Sequence, residues 1–208
     1  MLTYEDLVAS LEEAWMTAGL HEHELVESVQ PDAHDRSYRV ELFPDHPEPL
    51  TAENMPPWVE VSFTWSALHQ IRAERRDIPA EPLDLVWTYT VNGYGLREQT
   101  DYELVRLFQK AFMTTFRRFY PLEAAAIEAP TVEVRRSYTD SGVRLKVARL
   151  QLVSTSITDL TEQWDERDPR VLLDIMRTEM QLASAIIRAL TEVFNPGGQG
   201  GYRAVDAA

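Results

Sequence analysis

Apolar residues recur at helical spacing in three stretches of the chain and alternate with polar residues in six shorter ones. The first helical stretch is Thr3–Ala18. Leu7, Leu11, Ala14, Trp15 and Ala18 mark one stripe, Thr3 followed by Asp6 has capping-box spacing, and Gly19 supplies a stop. The second begins at Thr100, again a capping box with Glu103, and carries Leu104, Leu107, Phe108, Ala111, Phe112 and Phe116 to about Phe119, before Pro121. The third runs from Pro169, capped by Asp168, to Phe194, with a wide apolar face from Leu172 to Val193.

Alternation predicts the strands. Glu24–Val29 reads as a short strand, and Ser37–Phe43 as one with Tyr38, Val40 and Leu42 on one side. Trp58–Ala67 is the clearest, with Val59, Val61, Phe63, Trp65 and Ala67 in one phase; Leu83–Tyr94 follows with Leu83, Leu85, Trp87, Tyr89 and Val91. Thr131–Tyr138 and Val143–Val153 form a predicted hairpin through Thr139-Asp140-Ser141-Gly142. In its second arm the apolar phase moves from Val143, Leu145 and Val147 to Ala148, Leu150 and Leu152, the slip of one residue that a β-bulge produces.

Between these elements lie polar stretches. Residues 44–57 hold five of the twelve prolines, which removes backbone donors and predicts a loop or extended arm. His69–Ala80 is polar and basic, with Arg72, Arg75 and Arg76, and reads as an arm between strands. Ser154–Asp168 is polar around Leu160 and Trp164 and reads as one or two helical turns. The expected order is α-β-β-β-β-α-β-β-α. Without strand–helix alternation this predicts an α+β fold: a mostly antiparallel sheet of about six strands packed by N-terminal, central and long C-terminal helices. One domain over residues 1–194 and a flexible glycine-rich tail over 195–208 are expected.

Composition narrows the function classes. The chain has 208 residues, no Cys, and 34 acidic against 20 basic side chains, a formal charge of −14. Lacking Cys, it has no disulfide, thiolate nucleophile or Cys-based zinc site. Its charge disfavours nucleic acid and anionic membrane surfaces as partners, and no apolar run long enough to span a bilayer is present. A soluble, cytoplasmic protein is the expectation. The charge is also segregated. Residues 1–60 hold 14 acidic and 2 basic side chains, whereas residues 61–208 hold 20 and 18. Of the basic residues 18 are Arg, which suits either a GC-rich genome or bidentate pairing at an interface.

Candidate chemistry is sparse. His21 and His23 flank Glu22, and His34 lies between Asp32 and Asp35, a set that suits a metal in kind, although without the spacing that puts two His on one helical face. Polar residues after a helix explain them equally. No GxSxG elbow and no phosphate-binding glycine loop occurs, and nothing selects a catalytic carboxylate pair, so an enzyme is not supported and neither catalytic, metal nor cofactor residues are assigned. Arg117-Arg118, Arg135-Arg136 and Arg144/Lys146/Arg149 could form a basic stripe, but pairing with Glu133, Asp140 or the acidic N-terminal segment is the expected fate in a chain this acidic.

One stretch is suggestive. In residues 57–121 a strand, a polar arm, a strand of aromatic–hydroxyl alternation (Leu83, Leu85, Trp87, Tyr89, Tyr94) and a helix follow in order. This resembles the tail-terminator (cap) proteins of contractile phage tails and phage-tail-like injection systems, and Leu150–Trp164 is similar to that family's strand and short helical segment ending in Leu and Trp. Two features depart from the family. Pro169–Phe194 is helical where another strand is usual, and the basic arm is short. The resemblance implies a ring, typically a hexamer of this chain, that ends the inner tube and contacts the sheath, with tube and sheath proteins as partners. The arm at Arg72, Arg75 and Arg76 would then reach an acidic face of a neighbour. The competing class is an acidic monomeric or dimeric binding module, a secretion chaperone or immunity-type protein, masking a basic partner with Glu5, Asp6, Glu12 and Glu13. A metal-dependent enzyme using the early His/Asp cluster is the third class.

Overall fold

The computed structural model describes residues 3–30, 35–45, 55–74, 82–93, 99–121, 128–140, 145–161 and 169–194. They form α1 (Tyr4–Thr17), β1 (Leu20–Gln30), β2 (Asp35–Pro44), β3 (Trp58–Trp65), α2 (Ala67–Glu74), β4 (Asp84–Asn92), α3 (Asp101–Phe119), β5 (Glu133–Asp140), β6 (Leu145–Asp159) and α4 (Pro169–Phe194). The six strands make one antiparallel sheet in the order β1-β2-β3-β4-β6-β5, so the fold is α+β as the pattern predicts. The chain divides into two compact units. One holds Met1–Asp45, Val59–Thr88 and Ser156–Ser184; the other holds His46–Trp58, Tyr89–Thr155 and Ala185–Ala208.

In the first unit, α1 starts where predicted. The Thr3 hydroxyl accepts from the Asp6 N–H at 3.1 Å, and the Asp6 carboxylate accepts from the Thr3 N–H at the same distance. Two of the four orphan donors at the helix start are thereby satisfied. Gly19, at φ 67°, turns the chain out of the helix in a conformation open to glycine at little cost. Tyr4, Leu7, Leu11, Ala14 and Trp15 are buried, and Tyr4 packs against Phe63 and Trp65 of β3 with ring centroids 5.6 and 6.1 Å apart. Tyr38 stacks on Phe63 at 5.1 Å. Helix α4 is tied to α1 and its C-cap: Ser184 Oγ donates to the Ala18 carbonyl at 3.0 Å, and the Arg177 guanidinium meets the Glu13 carboxylate.

Two elements of this unit differ from expectation. Ala67 does not end β3 but opens α2, so the front of the predicted polar arm is helical. The cause is a capping box with histidine in the glutamate position. Ser66 N–H donates to His69 Nδ1 at 2.9 Å while His69 N–H donates to Ser66 Oγ at 3.3 Å. His69 is buried there and lies against the Trp65 ring. The second difference is β6, which continues through Ser154–Asp159 where helical turns were expected. Ser and Thr carry no apolar signal, yet Thr155, Ile157 and Thr158 are β-branched and suit a strand. Thr158 Oγ1 accepts from the buried Trp87 Nε1–H at 2.9 Å, and Leu160 N–H donates to the Leu83 carbonyl at 2.8 Å.

The second unit follows the sequence pattern closely. α3 has the predicted Thr100–Glu103 capping box, and Phe112 meets Tyr89 of β4 edge-on at 5.4 Å. Along α3, Phe108, Phe112 and Phe116 stack at successive i, i+4 steps. The β5–β6 register passes from Ser137 opposite Arg149 to Tyr138 opposite Val147, so Ala148 is the extra residue of a bulge at the predicted slip. Thr139 and Asp140 of the predicted turn belong to β5, while Ser141 and Gly142, the proline-rich residues 46–54, Tyr94, Trp164 and the tail 195–208 lie outside the described residues.

Candidate functional site

The acidic residues singled out in the sequence fall on the outer side of α1, and the structure separates their roles. Asp6 is committed to the helix cap. Glu5 accepts from Arg36 of β2 at 2.9 Å; this bond holds its carboxyl below the usual glutamate range. Arg36 in turn lies over the Tyr4 ring, 3.4 Å from its centroid, and the Tyr4 hydroxyl donates to Glu27 of β1 at 2.7 Å. Burial, and then that bond to Glu27, push the Tyr4 hydroxyl well above its ordinary value. Glu13 meets Arg177. Glu12 alone of the four makes neither a cap bond nor an ion pair among the described residues. Three of the four acidic side chains thus have work inside the molecule, and Met16 stands exposed beside them.

Strand pairing builds a second acidic feature that linear spacing conceals. Glu24 of β1 lies opposite Glu41 of β2, and Glu41 lies opposite Glu60 of β3. Residues directly opposite share a sheet face, so three carboxylates form one row across three strands. Arg39 answers this row, 3.6 Å from Glu24 and 3.4 Å from Glu60. Among the described residues one guanidinium stands against three carboxylates, a local excess of negative charge. Glu41, in the middle, is pushed above the usual range, by burial first and by the neighbouring Glu24 next. Positions 24, 41 and 60 could be named from the sequence only with the register in hand.

On the other face of β1, Leu25, Glu27 and Val29 lie opposite Val40, Tyr38 and Arg36, so they share the side on which α1 packs. All of β1 beyond Leu20 is exposed, which explains why its amphipathic signal was short. His21 lies beside Asp45, and His23 meets the Phe43 ring at 4.9 Å. His34 lies outside the described residues, and among those described no group of three or more potential ligands could hold a metal ion.

The basic arm is only partly placed. Arg72 belongs to α2, while Arg75 and Arg76 lie outside the described residues. Of the predicted basic stripe, Arg135 is bound to Glu133 of its own strand at 2.7 Å, and Arg136 is bound to Asp101 of α3 and donates to the Gln99 carbonyl at 3.3 Å. Arg135 thus meets the expected Glu133, whereas Arg136 meets Asp101, which was not among the expected partners, and Arg144 lies outside the described residues. Arg117 and Arg118 sit in the last turn of α3, where the helix dipole favours cations. No helix among the described residues is long and apolar enough to cross a membrane. Compared with family models, with curated proteins and with solved structures, the chain finds no match.

Proposed function

We propose that the chain is an assembly subunit: a ring-forming protein of the tail-terminator type, whose copies associate through polarised surfaces to end a tube and meet its sheath. The observation that carries this reading is the charge distribution. The first 60 residues are net −12 and the remainder net −2. Within the first part, the Glu24–Glu41–Glu60 row has a single arginine set against it among the described residues. A folded domain keeps such an excess at a cost, because like charges directly opposite in a sheet repel. A basic segment from a neighbour relieves it. The order of strand, basic segment, aromatic strand and helix over residues 57–121 supports the same reading by resemblance, and that resemblance also supplies the sixfold ring and the tube and sheath as partners.

The test is negative-stain electron microscopy of the purified chain at low ionic strength. Rings with a central opening are expected, and added tube protein is expected to acquire closed ends. A field of monomer-sized particles at high protein concentration overturns the proposal and leaves the acidic module that masks a basic partner.

A further inference from the structure

We infer that β1 takes up an extended segment of another protein as an added strand, a segment in which Lys or Arg alternates with aliphatic residues. This contact is separate from any contact that closes a ring. Strands β1 and β5 end the sheet, and among the described residues no further strand pairs with either. An edge strand offers a row of unpaired N–H and C=O groups, which folded proteins blunt with Pro, Lys, bulges or a covering element. In β1 the irregularity is confined to the start, between Glu22 and Glu24. From Glu24 to Gln30 pairing with β2 is regular, and neither Pro nor Lys interrupts it. Every residue of that stretch is exposed, and none makes a backbone hydrogen bond beyond the ladder to β2 among the described residues.

The two faces of β1 set what the added strand carries. On the side where α1 packs, Val40 of β2 is fully buried, whereas Leu25 opposite it is 39% exposed and Val29 is 63% exposed. Aliphatic residues on the added strand extend that layer, so hydrophobic burial and backbone pairing favour the same event. On the other face Glu24 begins the Glu24–Glu41–Glu60 row, against which Arg39 stands alone among the described residues. A cation opposite Glu24 joins the row as its second counter-charge. Successive strand residues point to opposite faces, so the two demands together specify alternating aliphatic and cationic residues.

Neither sheet edge of a second copy meets those demands. Strand β1 carries Glu22, Glu24 and Glu27 with no Lys or Arg, so pairing two β1 strands sets like charges together. Strand β5 holds two acidic and two basic residues, a net of zero. Both its arginines are also engaged within the molecule, Arg135 with Glu133 and Arg136 with Asp101. On β1 itself Glu22 makes no ion pair among the described residues. The glutamates therefore oppose the chain's own edges and admit a cationic strand from a different protein.

The experiment titrates the full-length chain into a fluorescein-labelled peptide of about nine alternating Lys and Val residues, an ordinary strand length, and reads anisotropy. Saturable binding is expected. Affinity should fall at least about tenfold in E22K/E24K, which reverses two exposed charges of the edge, with far-UV circular dichroism checking that the variant folds. It should fall as far for the same peptide methylated at every backbone nitrogen, which keeps the charge and removes the donors. That arm uses the unaltered chain. Absence of binding, equal binding by the methylated peptide, or unchanged affinity in a folded E22K/E24K overturns the added strand. A peptide that dissociates an oligomer of the parent chain assigns the edge to a copy and overturns it too. A monomeric chain that binds the peptide upholds the added strand while overturning the ring.

Discussion

Replacing Thr158 with Val removes one hydroxyl and leaves shape and strand preference almost unchanged. That hydroxyl accepts the Trp87 indole N–H at 2.9 Å, and Trp87 is 1% exposed. After substitution the N–H stays buried without its acceptor, which costs about 1–3 kcal/mol, more than the net worth of an ordinary hydrogen bond. For a chain of this size each 1 kcal/mol shifts the midpoint of thermal unfolding by roughly 2–4 °C. Urea unfolding followed by tryptophan fluorescence and by far-UV circular dichroism reads the loss as a lower midpoint with unchanged slope. The neighbour is the control: Ile157 is 62% exposed on the strand, so Ile157→Thr is expected within about 0.5 kcal/mol of the parent. In a W87F background the cost of Thr158→Val should largely vanish, giving a coupling of about 0.5–3 kcal/mol. A helical segment would place Ile157 and Leu160 on one face. A silent Thr158→Val with a costly Ile157→Thr would therefore refute the extension of β6.

Three further expectations follow from the same geometry. Thr3→Ala and Thr100→Ala each remove a capping-box hydroxyl and should cost about 0.5–2 kcal/mol in urea titrations, with Ser replacements recovering most of it. Glu41→Gln should stabilise the protein at pH 7 by up to about 1 kcal/mol, since it breaks the row of opposed carboxylates. A carboxyl raised in the folded state binds its proton more tightly than in the unfolded chain, so its penalty grows as pH rises from the ordinary glutamate value through the raised one; the Gln advantage should fade below about pH 4.3, where Glu41 is protonated in both states. Glu5 behaves oppositely: held low by Arg36, it contributes stability above the ordinary range that is lost as pH falls through its depressed value, and Glu5→Gln should flatten that acid limb in a pH series of unfolding midpoints.

How far the sequence carried is visible element by element. Where burial is one-sided and the side chains are apolar, as in α1, β3, β4, α3 and α4, periodicity located the element, and the phase slip at Ala148 located a bulge before any register was known. Where burial is weak, the signal faded. β1 is exposed almost throughout and was read as half its length, and the far end of β6 is built of Ser and Thr whose hydroxyls serve β4 and the Thr131 carbonyl. α2 depends on His69 acting as the reciprocal cap, a role that residue type alone does not announce. For the candidate surface, the N-terminal acidity was legible as a count. Its division was not, because Glu13 meets a partner 164 residues away and the Glu24–Glu41–Glu60 row exists only through strand pairing.

The central claim is that charge polarised within one small subunit drives closed self-assembly. Sedimentation equilibrium of the unmodified chain, from about 0.01 M to about 1 M salt, tests it most directly, since the screening length falls from roughly 30 Å to roughly 3 Å over that range. The account predicts a closed oligomer near six times the 23.9 kDa chain mass at low salt, dissociating as salt rises. A single 23.9 kDa species at every concentration and salt would contradict it.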